Sequence, residues 1–101
     1  MSKSVEIEEL HGLVVVPEDV SPTGKRRALL YSVMLINKPR KNEQSLYGGR
    51  IISLVIRDAG TGKVLADYDK GWLLEPRSID AEIVIGVLLL DIDGVQYDDV
   101  K

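Results

Sequence analysis

Few side chains in this chain of 101 amino acids have the type and spacing to do chemistry. One histidine and no cysteine are present. That composition excludes a disulfide framework, a thiolate metal site, a cysteine nucleophile and any site that needs two imidazoles. His11 beside Gly12 has no partner constellation near it and reads as a surface or cap residue. Ser45 and Ser53 lack the G-x-S-x-G setting of an activated nucleophile. Gly60-Thr61-Gly62-Lys63 resembles the end of a phosphate-binding loop, but Val64 stands where Ser or Thr should bind Mg²⁺. The first glycine of that motif is also missing, and a strand follows where a helix is needed. It reads as a hairpin turn.

Carboxylates offer two further candidates. Asp91-x-Asp93-Gly94, followed by Asp98 and Asp99, has part of the spacing of a calcium loop but lacks the third ligand before the glycine. Asp67 and Asp69 lie two apart on a strand, hence on one face, where a pair could exchange a proton or hold Mg²⁺. No third ligand accompanies them. Asp67 is expected to face solvent and Asp69 to cap the turn into Gly71-Trp72. No catalytic residue, metal or cofactor is assigned, and the chain reads as a non-enzyme.

The charged residues are unevenly placed. Formal net charge is −3, with acids concentrated towards both ends. Lys25, Arg26, Arg27, Lys38, Arg40 and Lys41 hold six of the 13 basic residues. These two clusters bracket a ten-residue strand and would stand roughly 30 Å apart at 3.3 Å per residue. They are the candidate nucleic-acid-binding residues, although the net negative charge gives no global attraction to a polyanion. No apolar run approaches the roughly 18 residues of a membrane span. The opening MSKSVEIEEL carries acids where a signal peptide is apolar, so the expected location is cytoplasmic, with no membrane partner.

The elements that must position these residues follow from periodicity. Val5–Val16 reads as strand, with Gly12 marking a bulge or a break between two short strands. Pro17 ends it, and Pro17–Gly24 is loop chemistry. Ala28–Asn37 alternates Leu29, Tyr31, Val33 and Leu35 on one face with Ala28, Leu30, Ser32, Met34 and Ile36 on the other. Its second face is mostly apolar too, as expected of a strand covered on both sides or meeting another chain. The polar loop Lys38–Gly49 follows. Arg50 to about Asp69 reads as a hairpin that sets Ile52, Leu54 and Ile56 on the same side as Val64, Ala66 and Tyr68. Ile79–Ile92 reads as helix, with Ser78 as N-cap, Asp80 and Glu82 in the first turn and Gly94 as terminator. Ile83–Leu90 lacks a polar stripe, so such a helix is expected to be covered nearly all round, by the sheet on one side and a partner chain on the other. Strand-preferring Ile83, Val84, Ile85 and Val87 keep a strand open as the alternative.

Ser45, Tyr47, Gly48, Gly49-Arg50-Ile51 and Leu54, then Tyr68-Asp69-Lys70-Gly71-Trp72 and Pro76, carry a resemblance. The segment 42–76 resembles a family of small uncharacterised proteins of bacteriophages and bacterial mobile elements, whose pattern includes G-R-I-S-K-L and Y-D-R-G-W-D. Ile52, Ser53, Lys70 and Leu73 depart from it. The resemblance implies a strand hairpin followed by a helix, and no known activity. Tyr68 and Trp72 are expected to clamp the strand end onto the core; with Arg50 they are also the residue types of a partner-binding anchor.

The fold expected is a single α+β domain over residues 1–101. It has a mostly antiparallel sheet of four to five strands and one C-terminal helix, an all-β fold being the alternative. The function expected is protein binding, as a homodimer or as a modulator of a host protein, with nucleic-acid binding as the alternative.

Overall fold

Runs of β-branched residues separated by glycine-containing turns build a meander. The computed structural model describes residues 7–37 and 45–97. Within them lie β1 (Ile7–Val16), β2 (Arg27–Ile36), a 3₁₀ turn (Leu46–Gly48), β3 (Ile51–Asp58), β4 (Val64–Asp69), β5 (Trp72–Leu74) and α1 (Ile79–Asp93). The strands form one antiparallel sheet in the order β1-β2-β3-β4-β5. This is the α+β architecture expected, with β5 added as a short fifth strand.

The core sits between one face of the sheet and α1. Leu29, Val33, Leu35, Ile51, Leu54, Ile56 and Ala66 meet Val84, Ile85, Leu88 and Leu89 of the helix. Burying those four side chains at roughly 1.5–3 kcal/mol each outweighs the strand preference of Val84 and Ile85. Ser78 Oγ accepts the Ala81 N–H at 3.1 Å, and Gly94 ends the helix in the left-handed region at φ 65°. Within one chain α1 is covered on the sheet side alone: Ile79, Val87 and Leu90 are 53%, 39% and 48% exposed. One helix against one sheet buries a single stripe, and the face left over is apolar.

Three local expectations are corrected. β1 is unbroken, and its ladder with β2 runs without a register shift from Ile7 to Val16. Gly12 is required for another reason: the Tyr31 ring of the neighbouring strand lies where a Cβ would be. Between Met34 and Leu35 the β2–β3 register shifts, so that Ile51 rather than Ile52 pairs with Leu35 and is fully buried. A second shift after Ile56 sets Val64 opposite Arg57, while Leu54–Tyr68 and Ile56–Ala66 pair as expected. Such bulges re-aim side chains at the cost of one unpaired residue.

Two polar joints lock the helix to the sheet. At its N-terminal end, Arg27 Nη1 donates to Asp80 Oδ2 and Nε donates to Asp58 Oδ2, both at 3.0 Å. The Asp80 side chain is 1% exposed, and Ser21 Oγ also donates to it at 3.5 Å. At the C-terminal end, Asp93 Oδ1 accepts the Arg50 N–H at 3.0 Å, and its carboxylate fills the space a Cβ on Gly49 would need. Tyr47 and Gly48 reach this position through left-handed backbone, at φ 52° and 73°. The Asp-x-Asp-Gly run is thus a packing joint at Asp93; Asp98 and Asp99 lie outside the described residues.

Arg27→Ala is expected to cost about 3–5 kcal/mol in urea unfolding, because it strands the buried Asp80 carboxylate. Arg27→Ala with Asp80→Ala should cost clearly less than the sum of the singles; additivity would mean the two do not interact.

Asp58 gives the pH dependence. Amide donors from Thr61, then Arg27, hold its carboxyl below the ordinary value of 3.8. The stability it adds is present above that unfolded-state value and is lost as pH falls through the lower folded value. Asp58→Asn should therefore flatten the decline of thermal stability below about pH 4.

Candidate binding surface

Strand alternation sends every second side chain of β1–β3 away from α1. Directly paired residues share a face, so the ladders define rows across the sheet. One row holds Leu13, Leu30 and Arg57. The next holds His11, Ser32, Val55 and Asp67, and a third holds Glu9, Met34, Ser53 and Asp69. Leu13 is 52% exposed, Leu30 40% and Val15 36%. A depression of about 540 Å³ runs over this face, lined by His11, Leu13, Leu30, Ser32, Val55 and Arg57. Its floor is apolar, with the Arg57 cation on one flank and His11, 3.6 Å from Glu9, on the other. An apolar floor rimmed by charges is the composition found at many protein docking surfaces.

The residues singled out by sequence are distributed differently. Tyr68 and Trp72 meet edge to face, with centroids 5.2 Å apart. They pair directly across the β4–β5 turn, where Lys70 and Gly71 supply the positive φ. Tyr68 belongs to the core at 7% exposure, and burial raises its hydroxyl pKa. Arg50 sits apart from them at the α1 C-terminus, its Nε donating to the Ile36 carbonyl at 3.2 Å. Beside it, Tyr97 packs on Tyr47 with centroids 6.1 Å apart, and burial raises the Tyr97 hydroxyl further.

Of the basic residues, Arg27 is consumed by Asp58 and Asp80, while Lys25 and Arg26 are exposed. Lys38, Arg40 and Lys41 lie outside the described residues. The Gly60–Lys63 segment is the hairpin turn expected, closed by Asp58 Oδ1 on the Gly60 and Thr61 amides at 2.8 and 2.9 Å. Asp69 closes the next turn through its backbone, its N–H donating to the Gly71 carbonyl at 2.9 Å. Among the described residues, no three His, Cys, Asp or Glu side chains come together as a metal site. No helix there is long and apolar enough to cross a membrane.

Sequence pattern gave half of this surface, the second face of β2. The β1 half was hidden because Leu13-Val14-Val15-Val16 is apolar at every position. Only the pairing shows that Leu13 and Val15 point away from the helix while Val14 and Val16 point towards it.

Fold and surface together define a small α+β protein: a five-stranded meander backed by one helix, with its opposite face bearing exposed apolar side chains. Residues 19–93 match the family described as Domain of unknown function (DUF7678), and the chain belongs to that family. No curated protein and no solved structure matches it.

Leu29 and Leu30 are sequence neighbours on opposite faces, one fully buried and one 40% exposed. Leu29→Ala is expected to lower stability by about 2–5 kcal/mol, and Leu30→Ser by less than about 1 kcal/mol. Equal losses in urea melts of the two variants would mean that the second face is covered in solution.

Proposed function

We propose that this protein is a non-enzymatic, cytoplasmic protein-binding module whose docking surface is the β1–β3 face turned away from α1. The observation that supports this reading is the exposed Leu13–Leu30 pair in an apolar depression, with the exposed Val15 on the same face of β1. Each such side chain, once covered, contributes on the order of 1 kcal/mol or more. Arg57 and the His11–Glu9 pair at the rim would orient a partner. The finer form of the proposal is a modulator of a host protein, carried by a phage or mobile element. That part rests on the resemblance of Ser45–Pro76 alone.

The test is affinity capture from lysate of the native host with the full chain, run with and without nuclease. Wild type is expected to retain a stoichiometric protein through nuclease treatment. The Leu13→Asp/Leu30→Asp variant, folded by circular dichroism, should lose it at least tenfold. Recovery of nucleic acid that disappears in salt, and on reversal of Lys25 and Arg26, would replace this reading with nucleic-acid binding. Equal retention by wild type and the double variant would move the docking surface elsewhere.

A further inference from the structure

β1 is an edge strand ten residues long, and among the described residues its outer side pairs with nothing. Natural edges of that length are blunted by lysine, proline, bulges or brevity. The opposite edge follows the rule, since β5 has three residues. β1 carries charge at its start alone, at Glu8 and Glu9; Leu10–Val16 contains no lysine, no proline and no acid, and its ladder is regular. The geometry points to a second copy of this chain as the occupant, its β1 added antiparallel to the first to give a continuous ten-stranded sheet. This rests on the docking reading above and names the partner of its β1 side.

Self-pairing fits the order of residues in the strand. Glu8 and Glu9 lie at one end, and Val14, Val15 and Val16 at the other. An antiparallel pair about a two-fold axis sets the acidic end of each copy against the apolar end of its mate. Keeping apolar faces together requires a register centred on a residue rather than between two residues. A centre at Gly12 puts Glu9 opposite Val15 of the second copy, and His11 opposite its Leu13. Val15 lines a depression of about 320 Å³ with Pro17, Glu18 and the exposed Arg26. A carboxylate arriving beside Val15 from the second copy therefore meets a depression that holds a cation, Arg26, as well as the acid Glu18. Registers centred near Glu8 or Glu9 would instead oppose like charges. The added ladder supplies about nine backbone hydrogen bonds, the number a typical interface carries in all. It also joins the two apolar faces side by side.

The experiment is sedimentation equilibrium of the full chain from roughly 1 to 500 μM, with charge variants at the exposed positions 9 and 15. Each substitution appears twice in a two-fold dimer, so a cross-strand pair should shift the dissociation constant about two- to thirty-fold. Val15→Glu should weaken the dimer, Val15→Lys should tighten it, and Glu9→Lys combined with Val15→Glu should restore it. The chain lacks cysteine, so engineered thiols report cleanly. His11→Cys mixed with Leu13→Cys should oxidise to a cross-linked heterodimer. A monomer at every concentration would overturn self-pairing, while the lysate capture would still judge the docking face independently. A dimer indifferent to residues 9 and 15 but lost on Val87→Asp/Leu90→Asp would place the contact on α1 and overturn the proposal. Cross-linking of His11→Cys with itself alone would overturn the Gly12-centred register.

Discussion

The position of α1 on the sheet is governed by one guanidinium. Arg27 begins β2 on the helix-facing side and reaches both the turn carboxylate of Asp58 and the buried carboxylate of Asp80. Asp80 cannot be left charged and unpaired in a dry interior, so the first turn of the helix must lie where Arg27 can reach it. The same arginine thereby ties three pieces of chain together: the edge pair β1–β2, the β3–β4 hairpin and the helix. Hydrophobic burial supplies most of the free energy, but it is non-directional, and this ion triad gives it an address.

The far end of the helix is fixed by a different device. Tyr47-Gly48-Gly49-Arg50 turns through left-handed backbone so that Gly49 can lie against the Asp93 carboxylate and Arg50 can donate to it. A side chain at Gly49 would push the helix end away. The glycines and arginine that look like a recognition motif in sequence are therefore satisfied inside the fold. The same holds for Tyr68 and Trp72, which brace the β4–β5 turn against the core.

With the helix pinned at both ends to one face, the other face is left to solvent. A single helix about 10–12 Å across shields one side of a five-stranded sheet and nothing more. That asymmetry leaves two features: the exposed apolar side chains of β1–β3 and, among the described residues, the unpaired outer side of β1. The outer side of α1 also exposes apolar side chains, at Ile79, Val87 and Leu90.

Much of this was legible in the residues. Period-two alternation located β2, β3 and β4. Ser78 and Gly94 bounded the helix, and the absence of cysteine and of a second histidine excluded whole classes of chemistry. These are local properties, set by backbone sterics and side-chain type within a few residues. What sequence could not show is long-range pairing. Nothing near Asp80 announces that Arg27, 53 positions earlier, will neutralise it. Nor does an unbroken Leu-Val-Val-Val run say which of its side chains face the helix. The bulges after Met34 and Ile56 brought Ile51 inward and set Val64 opposite Arg57, because each depends on how two distant strands meet. Local residue chemistry determined the elements of this protein; only their packing decided which charges are buried, which apolar face is left over and which edge stays open.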